Sequence, residues 1–165
     1  MLDTIPLVFI LAGLVFYTVL AGADFGAGVW QLLASPGKRG EAIRDLAHHS
    51  MGPVWEANHV WLIFVLTVTW TAYPTFLGSV ASTLAVPLFI AAVGIILRGA
   101  SYALRAGARA HEMRIIDSVL GVASLITPFA LGAAAGGIAS ERVPVGNAAG
   151  HLLSSWLNPT SVLIG

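Results

Sequence analysis

The chain of 165 residues is 57% hydrophobic and only 10% charged, its formal net charge is zero, and its mean hydropathy is +0.85. Soluble domains carry about 25% charged residues, so an ordinary soluble globular protein is disfavoured; a net charge of zero argues neither for nor against nucleic acid, and no basic stripe is present. The chain contains no cysteine, which rules out disulfides, thiolate metal sites and cysteine-ligated iron–sulfur clusters.

Four apolar segments predict an all-α integral membrane protein, a four-helix transmembrane bundle forming a single domain over 1–165. The first segment, 5–33, is interrupted only by Asp24. At ~1.5 Å per residue it exceeds a ~30 Å hydrocarbon core, so it tilts or projects. Gly22 and Gly26, with Gly28 nearby, mark a face that another helix can approach closely. Ahead of it stand only Asp3 and no basic residue, which reads as a retained anchor and not a removed signal peptide. Ser35-Pro36-Gly37 ends it, and 38–50 reads as a polar connection. The second segment, 53–73, places Pro53 in its first turn, where the missing N–H costs nothing. Tyr73-Pro74 then turns the chain into the third, 75–97, with a kink expected at Pro87. Residues 98–114 read as a second basic connection, or as a helical extension with its arginines among the headgroups. The fourth segment, 115–138, carries Pro128 near its centre and Gly132 and Gly136 at its far end, and a mixed tail follows over 139–165.

Basic residues set the expected orientation. Lys38, Arg39 and Arg44 fall in the first connection, and Arg98, Arg105, Arg109 and Arg114 in the one after the third segment; only Arg142 lies elsewhere. By the positive-inside rule both basic loops are cytoplasmic, and the N-terminus and the 139–165 tail are outside. Trp70 and Tyr73 would then mark the outer interface, and Trp30, Trp55 and Trp61 the inner one.

Chemistry concentrates at Gly52-Pro53-Val54-Trp55-Glu56-Ala57-Asn58-His59-Val60-Trp61, the entrance to the longest uncharged run, 60–97. Glu56 and His59 are three apart and Trp55 and His59 four apart, so they share or border one helix face. An ionisable group inside a span is a functional-site candidate, because lipid penalises it by roughly 2.5–3.5 kcal/mol. Under this topology Asp24 and Glu56 occupy the cytoplasmic half of the bilayer. The plain reading has Asp24 bonding backbone at a glycine-rich break and Glu56 marking the headgroup level. The sharper one makes both carboxylates part of a proton route, since a carboxylate in low dielectric is poised to take up and release a proton. His48, His49, His59, His111 and His151 supply no pair at matching depth on facing helices, as haem would need, and read as interfacial or structural. Trp55 and Trp61 read as interface anchors, and Asn58 as a helix–helix hydrogen-bond donor. No residue is assigned to a metal.

Two stretches carry a resemblance: Ala23-Asp24-Phe25-Gly26-Ala27-Gly28-Val29-Trp30, and Trp55-Glu56-Ala57-Asn58-His59-Val60-Trp61-Leu62-Ile63. They resemble subunit II of the cytochrome bd quinol oxidases. The resemblance implies a multi-pass subunit of the bacterial plasma membrane, itself free of cofactor, paired with a subunit I that carries the b-type and d-type haems. The complex oxidises quinol and reduces dioxygen to water, taking protons from the cytoplasm. It implies further that Glu56 opens a proton route, that Asp24 is a second candidate on it, and that Trp55, Asn58, His59 and Trp61 shape the route or the subunit contact. Members of that family have two similar four-helix halves. This chain is expected to be the first half, truncated or split, stopping where Leu157-Asn158-Pro159-Thr160-Ser161-Val162-Leu163-Ile164-Gly165 resembles the entry to a fifth helix. The competing expectation is a small membrane transport or scaffold protein with no redox partner, or a truncated subunit without activity.

Overall fold

The computed structural model describes residues 4–146 and 148–165; Asp3 and Asn147 lie outside the described residues. Among those described, the chain is helical and has no strand: α1 (Ile5–Leu33), α2 (Lys38–Met51), α3 (Trp55–Ala72), α4 (Pro74–Thr83), α5 (Ala85–Arg105), α6 (Ala110–Ala139) and α7 (Pro159–Ile164). Helices α1, α5 and α6 contain stretches long and apolar enough to cross a membrane, Ile5–Leu33, Ala85–Arg105 and His111–Ala139. Their outward faces present large apolar side chains such as Val8, Val15, Val19, Ile96 and Leu125, as lipid requires. Helix α3 is shorter, 18 residues, and its first turns carry Glu56, Asn58 and His59.

Several boundaries differ from the sequence reading, each for a local reason. The 38–50 connection is not loop but α2, an amphipathic helix that the Ser35-Pro36-Gly37 break allows to restart; Gly37 there has φ of 100°, a region open mainly to glycine. Pro53 sits in the turn that joins α2 to α3 and not inside the helix. The third segment is split at Leu84. Pro87 has no N–H for the carbonyl of Thr83, four residues earlier, and the helix breaks beside that carbonyl. The amide of Leu84 still bonds Val80 O at 2.9 Å and that of Leu88 bonds Leu84 O at 3.1 Å, so the axis bends without leaving neighbouring amides idle.

The largest correction concerns the end of that segment. Helix α5 continues past Leu97 to Arg105, the helical extension offered as one alternative, but its first arginine is not among the headgroups. Arg98, read as part of a basic cytoplasmic connection, is instead fully buried inside the bundle. The buried stripe Pro87, Ala91, Gly94, Arg98, Ser101, Tyr102 and Arg105 keeps the three-and-four spacing of one helix face straight through this point.

Helix α1 packs against α3 and α6, and α5 packs against α6. Close approach is bought by small residues. A Cβ on Gly28 would overlap the Ser124 hydroxyl, and one on Gly121 would lie 2.6 Å from Leu32 Cβ, so α1 and α6 meet backbone to backbone. Gly132 and Gly136 receive the backbone of α7 in the same way. Gly22 and Gly26, by contrast, have nothing near where a Cβ would stand; that face of α1 is open. Helix α7 begins as the Asn158-Pro159 pair predicts: Asn158 Oδ1 accepts from Ser161 N at 3.1 Å, capping a helix whose first turn holds Pro159.

Candidate functional site

Three helices converge on one buried ion pair. Asp24 on α1 and Arg98 on α5 have no exposed surface, and Arg98 Nη2 stands 2.6 Å from Asp24 Oδ2. Tyr102, one turn further along α5, donates its hydroxyl to Asp24 Oδ1 at 3.0 Å. Arg98 Nη1 donates to the Ser124 hydroxyl on α6, and its guanidinium lies 4.6 Å above the Phe25 ring. Two charges in so dry a place are tolerable only when nearly every polar atom is engaged. Here the pair itself, a phenol, a hydroxyl and an aromatic face supply most of that, and Arg98 Nε is left buried without a hydrogen-bond partner among the described residues. Gly28 leaves the room: a Cβ there would come within 3.1 Å of Arg98 Nη1.

Helix α3 is fastened beside this pair. Asn58 Nδ2 donates to Leu20 O at 3.2 Å, the carbonyl one turn before Asp24, so Asn58 is the helix–helix donor its position suggested. His59 Nδ1 lies 2.8 Å from Trp55 O. Around its ring stand Tyr17, Phe25 and Trp55, with centroids at 5.9, 6.1 and 5.9 Å. His59 Nε2 and the Tyr17 hydroxyl are buried there without a hydrogen-bond partner among the described residues. The ring of His59 is thus packed edge-on among three aromatic side chains. Trp61 stacks on Phe16 of α1 at 4.5 Å and packs beside Tyr17, Ala21 and Phe25, a helix contact in place of a free interface anchor.

Glu56 is apart from the pair. It is exposed and lines a cavity of about 470 Å³ together with His48, His49, Gly52, Pro53, Trp55, Tyr102 and Ala103. The two acids of the sequence reading are therefore not in contact. One is sealed in the bundle, the other opens on a polar hollow at the start of α3, and Tyr102 borders both. Its ring is sandwiched, stacked on Trp55 at 5.6 Å and 12° and on His48 at 5.7 Å and 25°. Gly99 makes room for Trp55, whose Cη2 is 2.8 Å from where a Cβ would stand. His48, on α2, has its pKa lowered from 6.5, chiefly by burial and further by the neighbouring positive charge of Arg105 and by His49.

A second charge cluster closes the same end of the molecule. Arg105 bonds Asp117 on α6 and lies 3.0 Å from Asp45 on α2, and Arg44 Nε is 4.0 Å from Asp117 Oδ2. Gln31 Nε2 donates to Arg44 O at 3.2 Å. These contacts bring α2 and the α5–α6 turn together, so the two basic stretches share one end of the bundle. Among the described residues no group of three or more His, Asp or Glu side chains gathers as a metal site; His111 and His151 are exposed and separate from the rest.

Arg98, Tyr102, Ser124 and His48 are the site residues that sequence reasoning missed. A signal existed for two of them: Arg98 and Tyr102 are four apart and both continue the Ala91–Gly94 face, a register that is visible once α5 is carried past Leu97. Ser124 carried none.

A polytopic helical membrane protein organised round an intramembrane ion pair, with an acid at the mouth of a neighbouring hollow, is the class these features define. Within that class, the chain belongs to the cytochrome bd terminal oxidase subunit II family, whose family model matches residues 2–165. It is 30% identical over 128 residues to the cytochrome bd ubiquinol oxidase subunit 2 of Bacillus subtilis (strain 168), covering 75% of this chain and 37% of that protein. A provisionally named cytochrome bd menaquinol oxidase subunit II of the same organism is 25% identical over 127 residues, or 76% of this chain and 36% of that one. The matched stretch thus spans little more than a third of the length of these relatives.

Proposed function

We propose that this chain serves as subunit II of a cytochrome bd-type terminal oxidase in the bacterial plasma membrane. It supports quinol oxidation and the reduction of dioxygen to water, with protons drawn from the cytoplasm. In this reading it forms one domain that crosses the bilayer four times, along α1, α3, the bent α4–α5 and α6. The N-terminus and the 139–165 tail face outward, and the basic end formed by α2 and the α5–α6 turn faces the cytoplasm. A haem-carrying subunit I is the partner and holds the b-type and d-type haems, which supply the electron transfer and the oxygen chemistry.

The observation that carries the mechanistic part is the position of Glu56: an exposed acid on the wall of a polar hollow, at the end of the bundle where the basic residues gather. There its carboxylate takes protons from water and passes them inward, the task for which acids are retained at the mouths of membrane routes. Asp24 serves as the buried counterpart and sets the charge of the layer above through Arg98. Asn58, His59 and Trp61 shape the route by holding α3 on α1, and Trp55 by holding it against Tyr102 of α5. The test is made in the complete oxidase that contains this chain. Glu56→Gln keeps size and hydrogen bonding and removes the titrating proton, whereas Glu56→Asp keeps the acid. With haem content unchanged, Gln slows quinol oxidation strongly, within the ~10²–10⁴-fold range of positioned acid–base groups, and Asp retains much of the rate. Normal turnover in the Gln variant of an intact complex would refute the proton reading.

A further inference from the structure

Among the described residues Tyr102 is the side chain that touches both halves of the site. Its ring helps wall the hollow that contains Glu56, and its hydroxyl bonds Asp24, yet it is only 7% exposed. The ring is clamped between Trp55 of α3 and His48 of α2. A ring stacked against two neighbours has little freedom to turn, so its plane and C–O axis are held by three helices at once, and the O–H bond is directed by its acceptor, Asp24. What lies on the hollow side is an open cavity that holds Glu56, His48 and His49; what lies beyond the ring is the dry Asp24–Arg98 pair.

We propose that Tyr102 is a positioning residue of the proton route, the central plate of a His48–Tyr102–Trp55 partition that keeps the Glu56 hollow separate from the Asp24–Arg98 pair and aims one hydroxyl across it. This rests on the proton reading of Glu56 given above and adds three residues to it: Tyr102, His48 as the outer plate, and Gly99 as the gap that admits Trp55. The partition works by geometry. Asp24 Oδ1 accepts from the phenol while Oδ2 faces Arg98, so loss of the phenol leaves Oδ1 without its donor and the carboxylate positioned by Arg98 alone. The charge that Glu56 works against then changes place. Hydrogen bonds to charged groups are the stronger class, and a carboxylate displaced by such a loss affects the rate of the step and not the binding of quinol.

The experiment uses the complete oxidase containing this chain and reads quinol-dependent oxygen consumption per haem for four proteins: unchanged, Glu56→Gln, Tyr102→Phe, and the double variant. Tyr102→Phe keeps both stacking partners and removes only the hydroxyl. The expected result is a fall in kcat of about tenfold or more with KM for quinol unchanged. The double variant is expected to be no slower than the slower single one, within about twofold, because groups that act as one unit are not additive. Multiplying losses, or a Tyr102→Phe rate within twofold of the unchanged protein beside a slow Glu56→Gln, would overturn the proposal and leave the Glu56 reading intact. A normal Glu56→Gln rate would overturn both. If Tyr102→Phe fails to assemble, Gly99→Ala is measured in its place. Its methyl group pushes Trp55 off the stack without touching Tyr102 or Asp24, and it is expected to lower kcat in the same sense. An unchanged kcat in Gly99→Ala with Trp55 displaced would overturn the partition.

Discussion

Removing one member of the buried ion pair is the perturbation with the largest calculable consequence. In Arg98→Met the side chain keeps its length and loses its charge. Asp24, with no exposed surface, is left with the Tyr102 hydroxyl at 3.0 Å as its remaining donor among the described residues. Breaking a buried pair in this way costs about 3–5 kcal/mol, which at 1.4 kcal/mol per decade is a loss of roughly two to three and a half decades in the folded-to-unfolded ratio. Asp24→Asn costs less, because Arg98 keeps the Ser124 hydroxyl and the Phe25 face, and a desolvated cation–π contact returns up to about 2 kcal/mol. Asp24→Asn combined with Arg98→Met removes both charges and recovers most of the loss, since a neutral pair of similar volume is often as stable as the ionic one. Unfolding of the detergent-purified chain by titration with a denaturing surfactant measures all three. A double variant as unstable as Arg98→Met would refute the electrostatic account and reduce the pair to a packing feature.

Other outcomes follow from the same geometry. A cysteine at Gly107, in the turn between α5 and α6, is labelled by an impermeant reagent only after the cell is opened, whereas one at Val145, 98% exposed, is labelled in intact cells; the reverse pattern would invert the membrane orientation. Gly28→Ala forces a methyl into Ser124 and is expected to cost about 1–3 kcal/mol by overpacking, while Gly26→Ala meets no atom and gains up to about 1 kcal/mol of helix propensity; equal effects would show that α1 and α6 are not in close contact. His48 has a folded pKa below its ordinary 6.5, so between those two values the unfolded chain binds more protons and stability falls as pH drops through that window. The effect is modest because His48 stays partly solvated. His48→Gln is expected to flatten the stability–pH profile below pH 6.5, and an unchanged slope would assign it elsewhere.

Much of this architecture was legible in the chain. Apolar length alone located α1 to the residue and α6 to within a few, because a long hydrophobic run bounded by Pro and Gly has no competing interpretation. The α4–α5 bend was visible in Pro87, although the break falls at Leu84, where the unanswered carbonyl is and not where the proline is. Arg98 was misplaced for a specific reason: an arginine at the end of an uncharged run looks like a headgroup residue, and its partner Asp24 is 74 positions away in the sequence. Pairing of that kind is a property of helix packing, which α1 and α5 acquire only through their shared contact with α6. Glu56 and Asp24 were both singled out, but their separation into a solvated and a dry compartment depends on the Tyr102 stack, which no spacing within α3 encodes.

The ion pair also bears on how the chain is made. A helix that brings an arginine to the middle of its buried face is penalised by roughly 2.5–3.5 kcal/mol when it enters lipid alone, and α5 is such a helix. By the time α5 leaves the ribosome, α1 has already been synthesised and carries the counter-charge. Partitioning of α5 is thereby tied to an earlier helix held nearby, so that the order of synthesis, acid first and base later, becomes part of the folding mechanism. A chain with Asp24→Leu is expected to deliver α5 to the membrane less efficiently in a translocon insertion assay, even though α5 itself is unaltered.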